Sequence, residues 1–407
     1  MKERNRVSLM KKCKKVMAVV GICSLIGGAF AGCAKEISPE YVPNSVTDQH
    51  DSGGNNGTDQ SGTGGVDNSG NNIANGGNTQ TGAWLNANVT DLTASVPAAV
   101  YDYAQSPEFA GVQRFSENLF AESFDKTNPV LSPVSAYLAL SMAGTGAKGD
   151  TAKEFEAVMG GNLQAVSEKL MDTLPADTEG TQVMLANSAW VDDRMNCEAD
   201  WMNVASENYR AGVYQMRLST PEAKDGVNKW IEDNTKGLIR NFLNEPLDDE
   251  ARLALFNTLY FKGKWEQPFD ALDTADRTFT LADGTQITTP MMRKYDEEVS
   301  YVKGAGCDGV VLPYEDSDLK FVALKPTEGQ NVRQLYQALD LEQIGVMADQ
   351  AEKVKVDLKL PKFKVTFDRI LNDDMIKMGF EKAFDGSLAD FTGIGLTSEG
   401  LPLYIRS

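Results

Sequence analysis

Side chains able to do chemistry are few, and their types exclude most reactions before any fold is considered. The one histidine of the 407 residues, His50, lies in a run of small polar residues. That leaves no Ser-His-Asp or Cys-His triad, no HExxH zinc site and no imidazole base in a periodic, foldable segment. The acidic clusters Asp248-Asp249-Glu250, Glu315-Asp316-Ser317-Asp318 and Asp373-Asp374 lack calcium-loop spacing and read as solvated turns or caps. There is no glycine-rich phosphate loop and no metal-ligand spacing, so neither cofactor nor metal is expected and the chain is not read as an enzyme. With 58 Asp+Glu against 39 Lys+Arg and a net charge of −19, nucleic acid is not an expected partner. One polar side chain stands out. Asn257 interrupts the apolar run Leu253–Phe261, and a buried amide needs specific hydrogen-bond partners.

The elements that position such residues follow from periodicity. Val112, Phe115 and Leu119, with Phe120 and Phe124 beside them, predict a helix over 111–125. Val130-Leu131 reads as a short strand. Ser132-Pro133 then supplies an N-cap with proline at the first helical position. The helix that follows, to about Ala143, has large apolar residues on one face and Ala136, Ala139 and Ala143 on the other, as for a helix covered on both sides. Leu253–Phe261 reads as a central strand. Runs on either side of Ala282-Asp283-Gly284 predict a hairpin. Lys353 to Leu360 alternates strictly, and beyond Pro361 the apolar positions shift to Phe363, Val365 and Phe367, predicting a bulge or a bend into another sheet at Leu360-Pro361. Ile370 to Met378 reads as a last helix, stopped at Gly379. Helices early and hairpins late point to an α+β class with mainly antiparallel sheets.

The N-terminal part differs in kind. Seven lysines and arginines precede an apolar stretch from Val16 to Phe30, followed by Ala31-Gly32-Cys33. This is the order of an export signal, too short to span a membrane comfortably. Cys33 stands where bacterial lipoproteins carry their lipidated cysteine, although Phe30 replaces the usual leucine. Residues 1–33 are therefore expected to be a lipoprotein signal, 34–83 a flexible Gly/Asn/Ser-rich tether, and 84–407 the folded domain, held by a lipid at the bacterial cell surface or envelope and facing outward. Residues 34–407 carry a net charge of −25. Their remaining cysteines, Cys197 and Cys307, are open to pairing or to staying as free thiols.

The folded part resembles the serpins. The likeness starts in Asn128-Pro-Val-Leu-Ser132-Pro133-Val-Ser135 and continues through Ala139-Leu140-Ser-Met142 to Gly146-Ala-Lys-Gly149-Asp-Thr151. It recurs in Leu185-Ala-Asn187-Ser-Ala-Trp190, in Val227-Asn228-Lys-Trp230, and in Asn257 followed by Phe261-Lys-Gly263-Lys-Trp265 and Phe269. Further on it covers Pro290-Met-Met292, Leu312-Pro-Tyr314, Leu360-Pro-Lys-Phe363, Met378-Gly379, Ala383-Phe384 and Ala389-Asp-Phe391-Thr-Gly-Ile394.

The resemblance implies three β-sheets, eight to nine helices, and inhibition of serine or cysteine proteases through a cleaved bait loop that inserts as a new strand into the main sheet. The target protease is the implied partner, met by a monomer if the domain is completed. By position, Ser132, Ser135 and Asn257 would form the polar cluster where the main sheet parts, and Trp265 the region of first insertion. The bland reading makes the two serines helix-start hydrogen bonders and Asn257 a satisfied core amide.

In serpins the segment resembling Leu403-Tyr404-Ile405 leads into a strand of the main sheet, an alanine-rich hinge, the bait loop and the last core strands. None of these stands among the 407 residues, and the histidine common in the gating cluster belongs to that strand. The chain as written is thus expected to be a fragment or interrupted copy without a reactive loop, inactive by itself, and prone to self-association at exposed edges. A non-inhibitory binding or structural protein on a serpin scaffold is the second reading.

Overall fold

The computed structural model describes residues 17–25, 109–124, 128–281, 283–327, 329–365 and 367–406. His50, Cys33 and the predicted tether lie outside them. In chain order the elements are β1 (Met17–Leu25), α1 (Ala110–Ser123), α2 (Pro133–Gly144), α3 (Gly149–Met159), α4 (Leu163–Thr173), β2 (Ala176–Asp177), β3 (Thr181–Val191) and β4 (Met195–Cys197). There follow α5 (Ala199–Glu207), β5 (Gly212–Gln215), α6 (Pro221–Asn234), β6 (Ala251–Gly263), β7 (Ala275–Thr280), β8 (Gln286–Gly304), β9 (Cys307–Pro313) and β10 (Lys320–Pro326). The chain closes with α7 (Val332–Ala338), α8 (Leu341–Asp349), β11 (Glu352–Pro361), α9 (Asn372–Met378), β12 (Gly395–Thr397) and β13 (Tyr404–Ile405).

The strands form three sheets. The main sheet runs β13-β1-β6-β3-β2, with β5 also on β3; the second runs β10-β9-β8-β11; the third is β12 on β4. With nine α-helices among the described residues, this is the α+β class with three sheets that the sequence implies. The chain divides into a large unit and a small one, and Thr278–Ile287 is the described part of the small unit. There the hairpin expected from Asp283-Gly284 is present. Leu281 N–H donates to Thr285 O at 2.8 Å, Asp283 Oδ1 accepts from Thr285 N–H at 2.8 Å, and Gly284 takes the positive φ the turn needs, +84°.

Within the large unit β6 is buried on both faces, as its near-continuous apolar run requires. Leu253 and Leu255 face the main core with Tyr137, Leu138 and Phe155, while Ala254 and Phe256 face a second cluster with Trp190, Val227 and Ile231 of α6. Every residue of α2 from Ser135 to Gly144 is buried, so the small-residue face read from sequence is indeed covered. Gly144 shows how closely: a Cβ there would lie 2.4 Å from Phe155 Cδ1.

Three local expectations fail. Val130-Leu131 is not a strand, because no neighbouring segment offers it a ladder. Beyond Pro361 the chain leaves regular structure until α9, and Phe363 is 53% exposed. Nor is the bulge at Leu360-Pro361. It lies on the partner strand, where Tyr295 and Asp296 together oppose Asp357 and the register jumps from Val356↔Glu297 to Leu358↔Lys294. Asp296 takes a φ of +53° to make the bend. The alternation of β11 itself holds, with Val354, Val356, Leu358 and Leu360 all in one core cluster.

At the end of β3 the Asp192 side chain is fully buried. It accepts from Arg194 Nε at 2.6 Å, from the Arg194 N–H at 3.0 Å and from the Leu218 N–H at 3.0 Å. Burial alone pushes its carboxyl up, but these bonds outweigh burial and hold it below the usual carboxylate range. A depressed folded pKa means that ionised Asp192 contributes its full stability above the unfolded value of about 3.9, and loses it as pH falls through the folded value. Asp192→Asn should therefore flatten the acid limb of the stability curve below about pH 4, read by urea unfolding between neutral pH and pH 3.

Candidate functional site

The positions singled out by sequence lie around β6. Ser132 caps α2 with φ −110° and ψ 90°. Its Oγ accepts from the Ser135 N–H at 3.3 Å and donates to Ser135 Oγ at 3.0 Å. Proline at the next position carries no N–H to satisfy, so the local sequence fixes the helix start twice over. α2 then packs against both β6 and β1.

Asn257 is fully buried in the middle of β6. Its Nδ2 donates to Asn187 Oδ1 at 2.8 Å. Asn187 sits opposite it in the antiparallel β3–β6 register and in turn donates from Nδ2 to Tyr209 O at 2.8 Å. The serines are thus joined to each other and Asn257 to Asn187; among the described residues no hydrogen bond links the two pairs. Asn257 Oδ1 and the neighbouring Thr258 Oγ1 are buried acceptors without a hydrogen-bond partner. Such atoms are rare in folded proteins. Asn187 was within reach of sequence reasoning, since it carries the same flag as Asn257: an amide in an apolar strand.

Past the end of β6, Trp265 forms a β-bridge with Tyr314. The two rings stack at 4.9 Å and 10°, with Phe321 edge-on at 5.5 Å and Phe269 at 6.3 Å. Burial pushes the Tyr314 phenol up to about 12. Backbone bonds from Lys264 N–H to Gly180 O and from Glu315 N–H to Lys264 O, both 2.8 Å, and from Glu266 N–H to Pro313 O at 3.0 Å make this the point where the main sheet passes into the second.

The edge of β6 away from β3 is the site's defining feature. β1 lies along it in parallel register from Ala18↔Leu253 to Leu25↔Tyr260, and β13 pairs in parallel on the far side of β1 through Met17↔Tyr404 and Ala18↔Ile405. β6 and β13 thus stand one strand apart, with a single strand position between them.

Cys197 and Cys307 are free thiols, and burial pushes them up to about 12 and about 11, so both are protonated at neutral pH and poor nucleophiles. The acidic clusters serve as turns and anchors. Asp374 is buried against Arg369 at 2.7 and 2.8 Å, Asp248 Oδ1 accepts from the Glu250 N–H at 2.8 Å, and Asp316 Oδ2 accepts from the Gly180 N–H at 3.2 Å. Among the described residues no three His, Cys, Asp or Glu side chains converge to hold a metal, and no helix is long and apolar enough to cross a membrane.

Among the described residues the main sheet has one strand position between β6 and β13, and Asn187, Asn257 and Thr258 are buried polar side chains on β3 and β6. Comparison with known proteins identifies the family. A family model described as Serpin (serine protease inhibitor) matches residues 110–406, and the chain belongs to the serpin family. It is 31% identical over 304 residues to Serpin-Z7 of Hordeum vulgare, covering 69% of this chain and 75% of that protein. It is 28% identical over 291 residues to Serine protease inhibitor 42Dd of Drosophila melanogaster, covering 69% of this chain and 77% of that protein. Among solved structures, the thermophilic serpin tengpin in its native state superposes with a TM-score of 0.67 at 26% identity, covering 78% of this chain and 82% of tengpin.

Proposed function

We propose that residues 84–407 are the strand-accepting body of an exported, lipid-anchored protease inhibitor of the serpin type. The observation that carries this reading is the single strand position between β6 and β13. Around it, α2 starts on a short, locally satisfied serine pair, and Asn257 Oδ1 waits without a donor. A strand inserted there would gain a ladder along β6 and could supply that donor. The gain in free energy is what can hold a protease attached to the inserted loop.

On this reading a bait loop with its hinge would lie C-terminal to Ile405, and that loop would set the target. The test is to extend the protein with the sequence encoded downstream of the Ser407 codon and incubate it with a panel of serine and cysteine proteases. The expected product is a complex that survives SDS at the summed mass. If every protease either ignores the protein or cleaves it without forming a complex, the non-inhibitory scaffold reading replaces this one.

Export rests on the order of charged, apolar and small residues before Cys33. Cys33→Ala is expected to abolish incorporation of labelled fatty acid and to move the protein out of the membrane fraction. Retention of lipid by that variant would contradict the anchor.

A further inference from the structure

We propose that the protein holds a binding site for a small zwitterion, a carboxylate and an ammonium joined by a short carbon chain, built on the ion pair of Lys294 and Glu297 beside Trp265. Lys294 is only 4% exposed. A buried ammonium is costly unless its hydrogen bonds are met, and this one has three N–H groups to satisfy. One donates to Glu297 Oε2 at 2.8 Å and one to Pro268 O at 3.2 Å, with the Phe269 ring centroid 5.3 Å from Nζ. The third N–H has no acceptor among the described residues.

The bulge on β8 makes this pair. In an unbroken strand, residues three apart point to opposite faces. The extra residue at Tyr295-Asp296 moves the register from Leu358↔Lys294 to Val356↔Glu297, so Glu297 returns to the face that carries Lys294 and the two side chains meet. Beside them lies unfilled space in two parts. The inner part is a narrow slot of about 20 Å³ whose walls include Trp265, Lys294, Val299, Ser300, Leu312 and Lys353, room for one carboxylate or about one or two waters. Two lysines and a hydroxyl supply donors there, and the apolar walls keep water thin, which strengthens a charge pair. The outer part is an open depression of about 440 Å³ that carries Glu266, Glu297 and Glu298, Glu266 standing at the junction and lining both parts. A plain anion would meet the glutamates, and a plain cation would meet Lys294. A ligand with its carboxylate inward on Lys294 and its ammonium outward by Glu297 finds an opposite charge at each end.

Trp265 lines the slot and reports on it. The full chain is labelled with 5-fluorotryptophan, its Trp265 resonance is assigned through Trp265→Phe, and it is titrated with 5-aminopentanoate, pentanoate and pentylamine. The expected result is a saturable shift of the Trp265 resonance by 5-aminopentanoate, with each of the other two probes at least about ten-fold weaker for want of one charge-assisted contact. An unmoved Trp265 resonance, or a probe with one charge that binds as tightly as 5-aminopentanoate, would overturn the proposal. This comparison needs no altered side chain at the ion pair, so a variant that fails to fold cannot obscure it.

Two substitutions then assign the ends. Lys294→Met should erase the preference for 5-aminopentanoate over pentylamine, and Glu297→Gln should shrink the preference over pentanoate. The resonances of Trp190 and Trp201, both buried, report that each variant is folded. An unchanged preference in either folded variant would overturn the proposal too. Neither readout involves a protease, so failure here leaves the inhibitor test standing, and failure there leaves this one standing.

Discussion

Asn187→Ala is expected to lower the unfolding free energy by about 3 kcal/mol, roughly twice the cost of Asn257→Ala. The two amides face each other at the same register position on β3 and β6, yet they are not equivalent. Asn187 accepts from Asn257 Nδ2 at 2.8 Å and donates to Tyr209 O at 2.8 Å, and it is 2% exposed. Truncating it strands a buried donor and a buried carbonyl, each costing about 1–3 kcal/mol. Truncating Asn257 strands only Asn187 Oδ1, and it also removes an Oδ1 that already has no partner. Urea unfolding of the two variants decides the point, and equal losses would contradict the asymmetry.

Trp265→Ala is expected to cost about 3 kcal/mol and Trp265→Phe about 1 kcal/mol. The indole is half-buried, which reduces the loss from burial. Against that, it stacks on Tyr314 and meets Phe321 and Phe269 edge-on, and aromatic pairs contribute about 0.5–1.5 kcal/mol each beyond area. The loss should fall on the second sheet, whose cluster of Met292, Val299, Tyr301 and Leu312 adjoins the ring. Near-ultraviolet circular dichroism should show the stack disappear in Trp265→Ala. A stability change under about 0.5 kcal/mol, the usual range for a surface substitution, would mean that the stack supports nothing.

What could be read from the sequence was what local chemistry dictates. The Ser132-Pro133 start and the small-residue face of α2 follow from capping and packing rules, and the structure shows both. The run from Leu253 to Phe261 could only be a strand covered on two faces. What could not be read was pairing, which is not local. Val130-Leu131 and Phe363 to Phe367 have apolar character but no neighbour to complete a ladder, and only a partner makes a strand. The β11 bulge escaped because the extra residue is on β8, at Tyr295-Asp296. Asn187 carries the same mark as Asn257, an amide in an apolar strand, but only the register shows that the two face each other.

The central claim is that the β6 edge receives an added strand when the protein acts. Hydrogen exchange along β6 tests it most directly, in the completed protein without residues 1–33, before and after its bait is cut. The amides of Leu253–Tyr260 that point away from β3 should exchange freely in the intact protein and slow by orders of magnitude once the cut loop enters. If cleavage leaves those amides exchanging as before, the loop has not entered the main sheet and the account of this protein as a strand-accepting inhibitor is wrong.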